Sequence, residues 1–301
     1  MLKFQNTCRK DLNILSNPII LVAETGSDIP LSLARAHGIL LVPMHVSMDT
    51  KTMDDGAFPP EDVCAYYDKT GKVPTTSGST LYDFEQVYEK IFARDPNARV
   101  LYLAYSAVTT CSYHSSTLAL EGKPYAKNVR AVDTKHVSAG QCAVVLATEK
   151  WLRTHPDATL EEAAQAAEAI GRKIQMCFIP KNLDYLRAGG RVSNAVALVG
   201  NLLNLHPCID ILDGRLIAGK KYRGAMEKVI PTLIRDFVQK HDPDKSHVYL
   251  INTPYMDPKV KAAAEAAVKA EGFADFTWLK TGCVITCHGG PGAMGIVCSS
   301  K

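Results

Sequence analysis

Short apolar runs alternate with stretches of helical spacing through the first half of the chain. Four runs bounded by turn residues predict strands: residues 19–23, 39–46, 100–105 and 129–132. Between and after them, residues 29–35, 82–93 and 139–153 have apolar positions at helical spacing or are rich in alanine. An alternation of strand and helix predicts a parallel α/β sheet with helices on its faces.

The pattern changes after residue 158. Residues 160–175, 227–240 and 258–271 predict amphipathic helices, and residues 248–252 predict a strand. A further pair of short runs flanks Asp213-Gly214, a dipeptide typical of β-hairpins. Helices combined with antiparallel hairpins predict an α+β unit. We therefore expect a two-domain α/β protein.

The expected boundaries divide the chain into three parts. Residues 1–17 form an N-terminal extension, residues 18–158 an α/β domain with hydroxyl-rich ligand loops, and residues 159–301 an α+β domain. The closing segment that contains His288 and several glycines is expected at the interface between the two domains.

Composition and charge narrow the classes of function. The 301 residues are 47% hydrophobic and 22% charged, which is ordinary for a globular protein. A formal net charge of +3 is too small to indicate nucleic-acid binding. No apolar run reaches the roughly 18 residues of a membrane span, and the N-terminus lacks the apolar stretch of a secretory signal. Nine cysteines, mostly inside apolar segments, suit reduced thiols and a cytoplasmic location.

The closing segment, residues 281–301, carries the first candidate site. Its apolar run predicts a strand, and His288 stands between this strand and a glycine-rich turn. Such a histidine is either a polar contact for a ligand or an incidental residue in a tight hairpin. The segment also contains G-x-G-x-x-G at Gly290, Gly292 and Gly295. A dinucleotide site requires a helix and a second strand after the glycines, which argues against this interpretation.

A metal site in the same segment is not expected. Cys283 and Cys287 share one face of the predicted strand, whereas His288 points to the other. No second pair of cysteine or histidine residues with zinc-like spacing occurs elsewhere in the sequence.

Three hydroxyl-rich loops at predicted strand ends or helix starts are candidates for binding an anion: residues 24–28, 74–80 and 106–112. Hydroxyls and backbone N–H groups at a helix start suit a carboxylate or a phosphate. The alternative is that these residues only cap helices and form turns.

Two arginines flank a glycine pair at Arg187-Ala188-Gly189-Gly190-Arg191. Guanidinium groups bind oxyanions through paired hydrogen bonds, but arginine followed by glycine is also typical of a helix end. The sequence contains neither a G-x-S-x-G nucleophile motif nor a Walker-type phosphate loop.

Taken together, these segments resemble the DegV family of bacterial fatty-acid-binding proteins. The motifs that carry the resemblance are VAETGSDIP, LVPMHV, MDDG, KVPTTSGSTLYDF, SAVTTCSYHSS, VDTKHVSAGQ, LDYLRAGGRVS, LLNLHPCIDILDGRL with KKYR, and GCVITCHGGPGAMG. Each is weak alone, but their order and spacing run from about residue 19 to residue 297.

The resemblance implies a two-domain α/β protein that buries a long-chain fatty acid between its domains. It also implies a partner, the ATP-binding subunit of a fatty acid kinase, which phosphorylates the presented carboxylate. By motif, Thr76 and Ser106 would contact the carboxylate, with His288 beside them. The residues that would support the head group or dock the kinase are Thr75, Ser77, Thr110, Arg187, Gly189, Gly190, Arg191, Gly289 and Gly290. No catalytic residue, metal or cofactor is implied.

The chain departs from the family pattern at several positions. Ala23-Glu24-Thr25 stands where T-D-S is common, His206 replaces the lysine before Pro207, and Gly289 replaces a frequent threonine. Separately, two alternative functions stay open. One is an enzyme on small acyl or phosphoryl substrates with His288 as general base, which requires an acidic partner and an open polar pocket. The other is a regulatory or scaffold role.

Overall fold

The structure is a computed structural model that describes residues 19–181, 183–194 and 205–301. The predicted extension, residues 1–17, lies outside the described residues.

Strands and helices alternate along the described chain. The strands are β1 Ile19–Glu24, β2 Leu40–Val42, β3 His45–Met48, β4 Lys51–Asp54, β5 Thr75–Ser77, β6 Arg99–Ala104, β7 Val129–Asp133, β8 Ile174–Ile179, β9 Leu205–Leu212, β10 Arg215–Arg223, β11 Val248–Asn252, β12 Phe276–Lys280 and β13 Met294–Ser299. The helices are α1 Leu31–Ala36, α2 Glu61–Thr70, α3 Leu81–Arg94, α4 Ser112–Ala119, α5 Ser138–Thr154, α6 Leu160–Lys173, α7 Leu183–Gly189, α8 Met226–His241, α9 Pro258–Ala270 and α10 Cys283–Gly289.

The predicted parallel sheet is confirmed. Its order is β2-β1-β6-β7, and every neighbouring pair is parallel. Helices α3 and α6 begin at capping boxes, in which Thr80 pairs with Asp83 and Thr159 pairs with Glu162. Each box satisfies two N–H groups that a helix start leaves without partners, so these boundaries are encoded locally.

The single strand predicted over residues 39–46 is wrong, because the structure has two separate strands there. The chain breaks at Pro43 and Met44, so that β2 joins the parallel sheet while β3 joins a separate antiparallel sheet with order β4-β3-β5. A proline cannot donate a hydrogen bond to a sheet, which explains the break. This small sheet places Thr76 opposite Val46.

A six-stranded sheet forms the second half of the fold, in the order β10-β9-β8-β13-β11-β12. The predicted hairpin at Asp213-Gly214 joins β9 and β10, which pair in antiparallel fashion. The sheet has two covered faces: α8 and α9 pack on the outer face, and the inner face meets the parallel half of the protein. The mixed α/β fold class is therefore confirmed, while the domain boundary after residue 158 stays a prediction.

The expected strand in the closing segment is wrong. Residues Cys283–Gly289 form α10, and only Met294–Ser299 continue as a strand. The apolar run is too short for periodicity to separate a buried strand from a buried helix. As a result, His288 lies in the last turn of a helix that packs against α7 and α2. No helix among residues 19–181, 183–194 and 205–301 is long and apolar enough to span a bilayer.

Glu24 ends β1 as a fully buried carboxyl group. The Tyr102 hydroxyl donates to its Oε1 at 2.5 Å, and the Gln141 amide donates to its Oε2 at 2.7 Å. Burial raises the pKa of Glu24 from 4.5 to about 7, and these hydrogen bonds only partly oppose that change. The loop that follows β1 therefore begins at a group that titrates near neutral pH.

Between pH 4.5 and about 7 the native state binds more protons at Glu24 than the unfolded state does, so this group lowers the free energy of unfolding as the pH rises. We expect the difference in unfolding free energy between the wild type and Glu24→Gln to fall by about 3 kcal/mol over this range. Urea denaturation at several pH values measures it. Subtracting the two free energies of unfolding cancels the contributions of titratable groups that both proteins share. A difference that stays constant with pH would contradict the raised pKa of Glu24.

Candidate ligand cavity

A cavity lies between the parallel half of the protein and the inner face of the six-stranded sheet. The empty space within its bounds, open solvent at its mouth included, is about 830 Å³. Its apolar wall consists of Met44, Val137, Met176, Phe178, Leu216, Ile251, Val284, Ile285 and Ala293. The wall is thus contributed by β8, β10, β11 and α10 together with the loops of the parallel half.

The polar end of the cavity is built around two side chains that are 212 residues apart in sequence. Thr76 Oγ1 lies 2.9 Å from His288 Nε2, within hydrogen-bonding distance. Thr76 comes from β5 and His288 from the last turn of α10, and both line the cavity. Hydroxyl and imidazole therefore face the same space.

His288 is held in the neutral form. Burial is the main cause that lowers its pKa from 6.5 to about 4, and the nearby positive charge of Arg191 lowers it further. The part of the His288 surface that remains accessible lines the cavity. A neutral imidazole has one N–H group, so Nε2 either donates to Thr76 Oγ1 or accepts a hydrogen bond from it.

Two of the three hydroxyl-rich loops reach this polar end. Ser77 and Gly78 of the second loop and Thr109 and Thr110 of the third line the cavity. The loops are in contact, because the backbone N–H of Ser79 donates to Ser112 Oγ at 3.0 Å. A side chain at Gly78 would overlap Thr110 Oγ1, so glycine is required for this close approach.

The first hydroxyl-rich loop, residues 24–28, plays a structural part instead. The side chain of Ser27 donates to the carbonyl of Glu24 at 2.6 Å, and Thr25 Oγ1 accepts from the N–H of Met44 at 3.0 Å. None of its residues is among those that line the cavity in the described part of the chain. The interpretation as a turn former is therefore the better one for this loop.

Two buried carboxyl groups from the first sixty residues of the chain hold the start of α10. Asp28 Oδ1 accepts from the N–H of Gly282 at 2.6 Å, and Asp55 Oδ1 accepts from the N–H of Cys283 at 2.7 Å. The N–H groups at a helix start have no partner within the helix, so acidic side chains stabilise them. A Cβ at Gly282 would lie 2.8 Å from Asp55 Oδ1, which explains the glycine. These two hydrogen bonds orient the helix that carries His288.

The segment in which two arginines flank a glycine pair contacts His288. Gly189 ends α7, and a side chain there would overlap His288 Nδ1. Arg191 lines the cavity and donates from Nη1 to the carbonyl of Gly189 at 2.8 Å. The segment therefore places a backbone surface against one edge of the imidazole and a positive charge beside it.

Gly189→Ala is expected to displace His288 from Thr76 and weaken binding of a carboxylate ligand by about tenfold, the effect of one lost hydrogen bond. The backbone at Gly189 does not have a positive φ, so alanine adds a steric contact without backbone strain. Ligand titration of the variant measures the effect. Equal affinities in the Gly189 variant and the wild type would contradict the role of this contact.

The structure brings together only some of the residues that the sequence singled out. Those that line the cavity are Thr76, Ser77, Thr110, Arg191, His288 and Gly289. Ser106, predicted to contact the carboxylate, is instead buried away from the cavity and donates to the carbonyl of Gly214 at 2.8 Å. Its place in the cavity wall is taken by Thr109 and Thr110, which follow it on the same loop.

The remaining supporting residues lie outside the cavity wall. Thr75 is exposed on β5, and Arg187 is paired with Asp184 on α7 at 3.6 Å. Gly190 and Gly290 have positive φ angles of 63° and 66°, so both are needed for turns. They shape the backbone around Arg191 and His288 rather than contacting the cavity.

Sequence reasoning missed several lining residues. Tyr105, Ser138, Asn252, Thr253 and Thr281 add polar atoms to the wall. Tyr105 directly follows β6 and precedes a loop already singled out, so its position at a strand end was an available signal. No comparable signal marks the others, because an isolated polar residue in an apolar segment is common.

The alternative enzyme interpretation requires an acidic residue to orient His288. In the described ranges, the hydrogen-bond partner of the imidazole is Thr76, and no carboxylate contacts it. The low pKa of His288, about 4, makes it a weak base. This geometry favours binding over proton abstraction.

Comparison with known proteins gives a consistent result. The model of an uncharacterised family named DegV matches residues 18–301. A DegV domain-containing protein of Caldanaerobacter subterraneus is 28% identical and is aligned over 94% of this chain and 99% of its own. A fatty acid-binding protein of Thermotoga maritima is 29% identical over 91% of this chain and 95% of its own. The structure of a fatty-acid-binding DegV family protein from Thermus thermophilus superimposes with a TM-score of 0.81 at 27% identity, covering 94% of this chain and all of that one.

Proposed function

The chain belongs to the DegV family, and on that premise we propose that it binds a long-chain fatty acid in the cavity and presents the carboxylate to the ATP-binding subunit of a fatty acid kinase. The observation that carries the proposal is the contact between Thr76 and His288 at the polar end of an otherwise largely apolar cavity. An amphipathic ligand with one anionic end matches this division of the wall.

The acyl chain supplies most of the binding free energy. Burial of a methylene group contributes about 0.8 kcal/mol, so about fourteen of them contribute on the order of 10 kcal/mol before ordering costs. The apolar side chains on β8, β10 and β11 provide the surface for this burial.

The carboxylate is the difficult part of the ligand, because a buried charge without donors is costly. When His288 carries its proton on Nε2, it donates to Thr76 Oγ1, and the Thr76 hydroxyl is then free to donate to the carboxylate. Thr110 adds a second hydroxyl, and Arg191 adds a positive charge. Together these groups stabilise the ionised acid.

The position of the polar end supports presentation to a partner. Ser77 is exposed, and Thr76, Thr109 and Thr110 keep part of their surface accessible. A carboxylate bound there lies near the mouth of the cavity, where a second protein has access to it. A kinase that supplies ATP would then add the phosphoryl group, and the neighbouring Arg191 would help to hold the added charge.

The first test is whether the protein carries a fatty acid. Mass spectrometry of an organic extract of purified protein is expected to detect one, and delipidated protein is expected to take up a labelled long-chain fatty acid with one-to-one stoichiometry. Delipidated, folded protein that takes up no labelled acid would overturn the proposal of binding.

The second test addresses presentation separately. Protein loaded with labelled acid is mixed with ATP and the ATP-binding subunit of a fatty acid kinase, and acyl phosphate is trapped with hydroxylamine. Product is expected only when both proteins are present. Binding without product would retain the fatty-acid proposal and remove the kinase partner.

A further inference from the structure

A second group of chemically reactive side chains lies on the outer face of the six-stranded sheet, opposite the cavity. Cys177 on β8 and Cys208 and Asp210 on β9 point to this face. The strand register places Cys177 directly across from Asp210. One sulfur or oxygen atom from each of the three residues lies within 4.8 Å of the others.

The end of α8 lies beside this group. Lys240 Nζ lies 3.1 Å from Asp210 Oδ2, so a positive charge stands next to the carboxylate.

We propose that Cys177, Cys208 and Asp210 form a binding site for a soft divalent metal ion of the zinc class. Thiolate sulfur and carboxylate oxygen are both ligands of zinc, and three protein ligands leave a fourth position for water. Small rotations of the side chains suffice to bring ligand atoms that lie within 4.8 Å of one another onto bonds of roughly 2.0–2.3 Å.

The charges at the site balance when a metal is bound. Two thiolates and one carboxylate around a divalent cation leave a net charge of −1, and Lys240 beside Asp210 supplies the compensating positive charge. The two thiol protons are released to solvent on binding. Without metal, Lys240 pairs with Asp210, so the carboxylate has a partner in both states.

The fold also provides room around Asp210. A Cβ at Gly219, on the neighbouring strand β10, would lie 2.8 Å from Asp210 Oδ2. The strand is irregular at this point, since the pairing with β9 shifts between Ala218 and Lys221. The Asp210 carboxylate thus occupies space that a side chain at Gly219 would fill.

Cadmium titration tests the site in the full chain after treatment with reductant and chelator. Thiolate-to-cadmium charge transfer gives an ultraviolet absorption band, which we expect to saturate at one equivalent with release of two protons. Cys177→Ser and Cys208→Ser are expected to abolish the band. Asp210→Asn is expected to weaken cadmium binding by about tenfold, and zinc is expected to compete for the same site.

Two other cysteines provide matched controls. Cys298 is a buried thiol on β13 of the same sheet, and Cys111 is an exposed thiol near the cavity mouth. Cys298→Ser and Cys111→Ser are expected to leave the band unchanged. Thermal unfolding of the Cys177 and Cys208 variants checks their folding without depending on the proposed function.

The wild type supplies a test that does not depend on variants. Bound cadmium is expected to protect Cys177 and Cys208, but not Cys298, from alkylation during mild unfolding. Absence of the band, release of fewer than two protons, or a band lost in Cys111→Ser would overturn the proposal and leave only adventitious binding to an exposed thiol.

Discussion

Replacing Thr76 with valine is expected to weaken the binding of a long-chain fatty acid by about 10–100-fold. Valine has nearly the same shape as threonine but has no hydroxyl, so the carboxylate loses a donor and His288 Nε2 loses its partner. Hydrogen bonds to charged groups contribute about 1.5–3 kcal/mol, which corresponds to this range of affinity. Isothermal titration of delipidated protein with palmitate measures the change.

Thr75→Val is the matched control for this prediction. Thr75 precedes Thr76 on β5 but is exposed and does not line the cavity. The control is expected to bind palmitate with wild-type affinity and to have wild-type thermal stability. If Thr76→Val bound palmitate as tightly as Thr75→Val, the carboxylate would have to lie elsewhere in the cavity.

Leu216→Trp is expected to weaken the binding of long-chain acids by about 100-fold while the protein remains folded. Leu216 is buried on β10 and lines the apolar part of the cavity. A larger side chain there occupies space that about four methylene groups of the ligand would fill, and their loss costs about 3 kcal/mol. Filling a cavity leaves stability unchanged or raises it.

Leu212→Trp controls for the chemical change itself. Leu212 lies at the end of β9 near the same hairpin, but it is 67% exposed. This variant is expected to bind like the wild type. Thermal unfolding of both variants verifies that the Leu216 protein is folded, and unchanged palmitate affinity in folded Leu216→Trp would exclude this part of the cavity as the acyl site.

The two variants are distinguishable by chain length. A short acid such as octanoate needs the head-group contacts but little of the apolar wall, so it is expected to bind Leu216→Trp with nearly wild-type affinity. Thr76→Val is expected to lose affinity for short and long acids by similar factors, because its defect is at the carboxylate. The opposite pattern would mean that the polar and apolar ends are assigned the wrong way round.

Local sequence patterns were sufficient to predict much of the fold. Helices α3 and α6 carry their own capping boxes, and the hairpin at Asp213-Gly214 carries its own turn residues. Alternation of strand and helix predicted the parallel sheet, because each such unit buries its apolar face against the next. These features depend on residues that are near one another in sequence.

Local patterns failed where neighbours distant in sequence determine the conformation. The run that contains Cys283 and Cys287 reads equally well as a strand or a helix, and it becomes α10 because Asp28 and Asp55 bind the N–H groups at its start. Ser106 has the residue type of a carboxylate ligand, yet its hydroxyl is used by the carbonyl of Gly214, 108 residues further along the chain. Neither contact can be predicted from the residues that are adjacent in sequence.

The sequence by itself determined the fold class, the family resemblance and the residue types available to an anion, because these depend on local periodicity and on ordered motifs. Only the tertiary structure decided which hydroxyls share the cavity with His288, since that requires β5 and α10 to meet across 212 residues. The tertiary structure likewise decided which cysteines converge: Cys177 and Cys208 are neighbours because β8 and β9 pair. The sequence specifies the chemistry of each side chain, but a binding site forms only where folding brings residues distant in sequence into contact.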